Sequence, residues 1–260
     1  MLKKLLWLSL ILILLSSFRL SPVAAKNNEG EDNTPEVDGI YNVPGRPDLK
    51  LRVFVHRGRP DNGSNSSLTC GLADPDSSSA VPGAGWHLPD GTWTYHLNLA
   101  KTPASVGGTN FVNLTAAAFN TWDATKVGQH VTSFTRGSDT TLTRKALDGQ
   151  NIISWSKLGG GTLAVTYTWY YTANQQVAET DTLFNTRYPW SWSGNATCAD
   201  PNSYDAQNIL THELGHTMGL NDVYSKEFVN NTMYGYGAKG EAKKDTLTTG
   251  DINGVNTLYY

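Results

Sequence analysis

His212-Glu213-Leu214-Gly215-His216-Thr217-Met218-Gly219-Leu220-Asn221-Asp222 is the stretch on which the reading of this chain turns. On a helix, residues four apart lie one above the other, so His212 and His216 present two imidazoles from one face at a spacing that can grip one zinc ion. Glu213 then lies beside the open coordination position. Gly219, without a Cβ, can take a positive φ, end the helix and turn the chain back. That turn can bring in Asp222 as a third ligand. Three protein ligands leave a fourth position for water, which marks a catalytic rather than a structural site. With 6 His in 260 residues, His-Glu-x-x-His arises by chance on the order of 0.4% of the time, before Gly and Asp are required downstream. The stretch is therefore read as a metal site and not as two core histidines.

Composition narrows the remaining classes. The chain is 39% hydrophobic and 17% charged, with 8 Trp, 12 Tyr and 7 Phe, too apolar for a long disordered protein. Its net charge is -3, and no basic patch interleaves with the aromatics, so nucleic acid is not an expected partner. Residues 1–25 read as an export signal: Lys3 and Lys4 form the charged start, Leu5 to Leu15 the apolar run, and Val23-Ala24-Ala25 the small-residue cleavage site. That run falls short of the about 20 residues a membrane span needs. Cleavage is expected to leave a secreted, extracellular protein, free of the membrane. In that oxidising setting the two cysteines, Cys70 and Cys198, are expected to pair.

Residues 26–84 are rich in Gly, Pro, Ser, Asn and acids, with one short apolar patch from Leu51 to Val55. They read as an N-terminal extension or propeptide that cannot form a core alone. Residues 85–260 are regular enough for one domain. Trp93, Tyr95, Leu97 and Leu99 alternate with polar residues as in a half-buried strand. Phe111 to Lys126 has helical spacing, with Thr115, Ala118, Phe119 and Trp122 on or beside one face. Leu163 to Tyr171 and Val177 to Asn185 read as strands. Asn202 or Ser203 can cap a helix reaching about Met218, and Thr248-x-x-Asp251 is a capping pattern ahead of a last helix. The sum is a mixed α/β, α+β domain.

The zinc stretch resembles the extended motif of the metzincin metalloproteases, and Asn231-Thr232-Met233-Tyr234-Gly235 looks like their Met-turn. Within that clan the chain is similar to the matrixins from about residue 85 to 260: Ala118-Phe119-Asn120-Thr121-Trp122 matches their first helix, Gly161-Thr162-Leu163-Ala164 their edge strand, Asp181 to Asn185 the next strand, and Leu247 to Tyr260 the closing helix. The resemblance implies a twisted, mostly parallel sheet with an antiparallel edge strand, an active-site helix, a Met-turn and a C-terminal helix. It implies a monomeric, zinc-dependent endopeptidase acting on proteins or peptides, matrix proteins included, with a zinc-activated water and Glu213 as general base. Met233 would floor the ligands, and the pocket near Tyr234 and Tyr236 would select a side chain. An extended substrate would add as a strand along Thr162, Leu163, Ala164, Val165 and Thr166.

Matrixins place His where this chain has Asp222; His-His-Asp is the snapalysin-like variant. One catalytic zinc is expected, since His56, His87, His96 and His130 are not closely spaced. Calcium is left open, with Asp181, Asp200 and Asp205 available and no site assigned. Cys70-Gly71-x-x-Asp74 also resembles the matrixin cysteine switch without its preceding Arg, so a disulfide to Cys198 and a switch are both open. The alternative to an enzyme is an inactive relative serving as an extracellular binding module, gripping a polymer through Trp190 and Trp192. Retention of Glu213 favours the enzyme.

Overall fold

A computed structural model describes residues 35–60, 76–123, 132–143, 145–194 and 199–259. The export signal, Cys70 and Cys198 lie outside them. Along the chain run β1 (Gly39–Val43), β2 (Arg46–Gly58), β3 (Gly91–Leu97), α1 (Gly108–Asp123), β4 (Thr132–Arg136), β5 (Asn151–Ser156), β6 (Thr162–Tyr171) and β7 (Val177–Asn185). There follow β8 (Trp190–Ser191), β9 (Tyr204–Asp205), α2 (Ala206–Thr217), β10 (Tyr236–Gly237) and α3 (Thr249–Asn256).

The main sheet has the order β1-β2-β6-β7-β5-β3-β4. Strands β7, β5, β3 and β4 pair in parallel, β6 is antiparallel to β7, and β2 is antiparallel to β6. This is the mixed α/β sheet that the resemblance implied, with one difference. Strand β6 is not at an edge. β2 is hydrogen-bonded along it from Leu49 opposite Tyr171 to Arg57 opposite Thr162, so Ala164 to Thr166 have a strand on either side and Thr162 is paired on the β2 side.

The N-terminal stretch, expected to be unable to form a core alone, contributes strand β2 to the core of the residues that follow it. In a strand, alternate residues face opposite ways: one face of β2 carries Leu49, Leu51, Val53 and Val55, the other Lys50, Arg52, Phe54 and His56. Phe54 joins the cluster around the helices, while Leu51, Val53 and Val55 pack with Val165, Tyr167 and Leu183 on the other side of the sheet. Phe54 breaks the polar alternation of Lys50, Arg52 and His56, so the stretch reads as a short apolar patch.

Helix α1 buries Phe111, Leu114, Thr115, Ala118, Phe119 and Trp122, the expected face extended one turn earlier. Trp122 Nε1 donates to Thr211 O at 2.7 Å, joining α1 to α2. All twelve residues of α2 are buried, so its polar side chains need partners inside the protein. Asp205, rather than Asn202 or Ser203, caps it: Oδ1 accepts from Gln207 N and Asn208 N at 2.9 and 3.0 Å. A carboxylate there also suits the positive end of the helix dipole. Asn208 Oδ1 accepts from Lys244 N, and Gln207 Oε1 from Trp192 Nε1.

The capping box of α3 forms as its pattern indicates, with Thr248 and Asp251 bonding each other's backbone N–H. Asp251, fully buried, further accepts from Thr232 N at 2.9 Å and Met233 N at 3.2 Å. One carboxylate therefore ties the last helix to the turn that carries Met233. Asp251→Ala leaves several buried N–H groups without an acceptor, each costing about 1–3 kcal/mol. Stability to urea is expected to fall by on the order of 3 kcal/mol, and a loss under about 1 kcal/mol would show the turn to be held by other contacts.

Candidate metal centre

His212 and His216 lie one turn apart on α2 with both rings buried. Each ring is fixed from behind: His212 Nδ1 faces Thr232 O at 2.7 Å, and His216 Nδ1 faces Leu220 O at 2.9 Å. A neutral imidazole that donates through Nδ1 keeps a lone pair on Nε2. Both Nε2 atoms point at Asp222 Oδ1, at 3.1 and 3.5 Å.

The loop that delivers Asp222 follows from the end of α2. Leu220 N donates to Gly215 O and Gly219 N to His216 O, the paired bonds of a Schellman motif, with Gly219 at φ +101°. A Cβ there would run into Trp86 O, so glycine is required both by conformation and by space. Val223 N then donates to Met233 O and Gly235 N to Val223 O, which clamps the residue after Asp222 to the Met-turn.

Met233 is fully buried beneath the helix, and a Cβ on Gly215 would collide with its sulfur and with the Trp122 ring. The residue between the two histidines is thus small because the methionine and the tryptophan occupy its side of the helix.

Glu213 turns toward β6. Its Oε2 accepts from Thr166 Oγ1 at 2.6 Å, and Thr166 is in turn 3.0 Å from Thr182 Oγ1. Burial pushes the carboxyl up to about 7, against the pull of His216 and the Thr166 hydroxyl. Burial likewise drives His212 down to about 3. For Asp222, burial works the other way, but His216 and His212 hold its carboxyl well below the usual range.

Electrostatics test whether these residues fit a metal. With each Nδ1 donating outward, two neutral imidazoles would set their Nε2 lone pairs against the Asp222 carboxylate as acceptor against acceptor; without a cation the carboxylate draws a proton onto His216, whose pKa burial lowers but Asp222 raises on balance. The Nε2 atoms, both Asp222 oxygens and Glu213 Oε1 are buried and lack a hydrogen-bond partner. Two imidazoles and a carboxylate backed by carbonyl acceptors are the donor set and outer support of a divalent cation such as zinc.

His56 enters the same space. Its ring meets His212 edge-on at 4.0 Å, its Nδ1 is 3.7 Å from Glu213 Oε1, and Phe54, two residues earlier, stacks on His216 at 3.7 Å. Ligand atoms of His56, His212 and Asp222 lie within 4.8 Å of one another. Sequence spacing holds no signal for a residue so far from the motif. Lys244, also unforeseen, is fully buried beside His56, and burial pushes its amine down to about 8.

Other expectations fare differently. Asp181 accepts from Ala146 N and Ile152 N, Asp205 caps α2, and Asp200 holds a surface turn through Asn202 N and Ser203 Oγ. Each acid is engaged with its own chain, and among the described residues the three form no cation cluster. Trp190 is buried against Trp155 and Phe184 with its Nε1 on Asn185 O, and Trp192 Nε1 is on Gln207. They are core and rim, not an open binding face.

A mixed sheet carrying a buried helix, with two histidines and an aspartate converging over a methionine turn, defines a metallopeptidase domain. The matrixin family profile matches residues 86–260, two-thirds of the chain, and the protein belongs to that family. It is also 28% identical over 185 residues to a protein of Spodoptera frugiperda ascovirus 1a named "Putative matrix metalloproteinase". The match takes in 67% of this chain and 44% of the relative's length.

Gly219→Ala adds a Cβ at a left-handed position against a carbonyl oxygen, a strain of about 1–3 kcal/mol before the clash is counted. The expected result is a lower melting temperature together with less zinc retained against a chelator. Unchanged zinc retention would mean that Asp222 does not depend on this turn.

Proposed function

We propose that the protein is a secreted, zinc-dependent endopeptidase. The observation that carries this reading is the convergence of His212 Nε2, His216 Nε2 and Asp222 Oδ1 beside Glu213, with these three atoms and Glu213 Oε1 buried and without a hydrogen-bond partner. His212, His216 and Asp222 would hold the ion. When bound, zinc supplies a Lewis acid for the scissile carbonyl and acidifies a water. Asp222, being anionic, donates more charge than a third imidazole would.

Glu213 is the general base. Its carboxylate takes a proton from the attacking water and passes it to the nitrogen of the leaving amine. The Thr166 hydroxyl on Oε2 fixes the carboxylate's rotation and leaves Oε1 facing the donors. Met233 supplies an apolar floor that keeps the helix at its spacing. Peptides or proteins are the substrates, and the reading of residues 1–25 as an export signal supports a reaction outside the cell. Cys70 and Cys198 are proposed to be bonded to each other.

Two substitutions separate metal binding from chemistry. Asp222→Ala removes a ligand, and both zinc content and peptide hydrolysis are expected to fall. Glu213→Ala is expected to keep its zinc while hydrolysis drops by about 10²–10⁴-fold. Zinc content is read by atomic absorption on the full chain, and hydrolysis on casein, with and without a chelator, after limited proteolysis has detached the segment that carries β2. A Glu213→Ala protein that digests casein at the parent rate would rule out this mechanism.

A further inference from the structure

An extended peptide that enters a cleft binds by pairing its backbone with the walls. Beside the metal donors those walls are β6 and β10, and β2 is hydrogen-bonded to both. It runs antiparallel to β6, with Phe54 opposite Thr166 and His56 opposite Ala164. It runs parallel to β10, with Arg57 opposite Tyr236 and Gly58 opposite Gly237. Arg59 N extends the pairing by donating to Gly237 O at 2.8 Å. Residues 46–58 thus lie where the strand pairing of a substrate would lie.

The pleat of β2 decides what this strand presents to the metal donors. Leu51, Val53 and Val55 face the second core cluster, so Phe54 and His56 face α2. Phe54 stacks flat on the His216 ring, with 2° between the planes. That leaves His56 with its ring against His212 and its Nδ1, buried and without a hydrogen-bond partner, directed toward Glu213. On its far side, Lys244 Nζ donates to the carbonyls of Tyr234 and Tyr236. Its approach to His56 Nε2, at 3.5 Å, is at the outer limit of a hydrogen bond, and because an ammonium can only donate, that contact goes with a ring proton on Nδ1. Moving the proton to Nε2 gives up only this long contact and lets Nδ1 offer a lone pair to the point that His212 and Asp222 also face.

Resting on the metallopeptidase reading, we propose that His56 is a fourth protein ligand of the metal, delivered by β2, which fills the substrate channel. Four protein ligands make a closed site of the structural kind, with no position left for water. The residue that closes this site is an imidazole on a paired strand, independent of Cys70.

The experiment uses the full chain with cobalt(II) in place of zinc, because the visible spectrum of cobalt reports its ligands without any need for turnover. Acetohydroxamate, which binds an open metal position, is the probe. The parent spectrum is expected to stay unchanged on adding it. His56→Phe keeps a ring against His212 but has no donor atom. Its spectrum is expected to differ from the parent's, to shift with acetohydroxamate, and its cobalt affinity to be at least about 10-fold weaker, the loss that even an outer partner of a ligand causes. A parent spectrum that shifts with stoichiometric acetohydroxamate overturns the proposal without recourse to any variant. So does a His56→Phe protein with the parent's affinity and spectrum. A parent chain that takes up neither cobalt nor zinc sinks the metallopeptidase reading itself, and is told apart from the other results by metal content alone.

Discussion

Three lone-pair donors aimed at one another inside a dry interior are the constraint around which this domain is organised. His212, His216 and Asp222 cannot satisfy each other while both imidazoles are neutral, and each has been stripped of water. Burying such groups without compensation is among the costliest arrangements a fold can contain. It is tolerated where a cation neutralises the acceptors and where the remaining valences are bound from behind. Thr232 O and Leu220 O do the second task. Both carbonyls sit on turns, one held by Asp251 and the other by the glycine that ends α2.

This explains why a short helix is anchored from so many directions. Asp205 caps it, Trp122 and Trp86 donate to its carbonyls, and Asn208 and Gln207 reach other elements. A helix this polar gains little from apolar burial alone. Its position is set by hydrogen bonds, which have direction, and a ligand set needs direction more than bulk stability. Met233 and Gly215 then fix the height of the helix over the Met-turn by steric contact.

What could be read from the sequence was what lies close together along it. The histidines, Glu213, Gly219 and Asp222 fall within one helix and its terminating turn, so helical spacing and glycine conformation were enough to bring them together. The α1 face, the strands at 162–171 and 177–185, and the Thr248–Asp251 box are likewise local patterns. β2 was missed because the alternation of Leu49, Leu51, Val53 and Val55 with Lys50, Arg52 and His56 is broken at Phe54 and lies within a stretch rich in Gly, Pro, Ser and Asn, and β4 and β5 because they are five and six residues long. His56 and Lys244 reach the centre only through sheet pairing and the return of the C-terminal loop, neither of which leaves a spacing to read. The Asp205 cap went to neighbouring residues because Asn202, Ser203 and Asp205 are all good caps, and only the choice of first turn separates them.

The position of β2 also sets the terms on which any substrate competes. An incoming peptide would have to take over the hydrogen bonds of both walls and would gain none that β2 does not already make. The strand is covalently attached, so its effective concentration at the channel is on the order of millimolar even for a flexible tether. It further buries Leu49, Leu51, Val53, Phe54 and Val55, and each such side chain contributes about 1.5–3 kcal/mol when fully removed from water. A free peptide at micromolar concentration, making the same backbone bonds, loses that competition by orders of magnitude. On the proposed closure of the site, access to Glu213 is governed less by the affinity of a substrate than by whatever detaches residues 46–58 from β6.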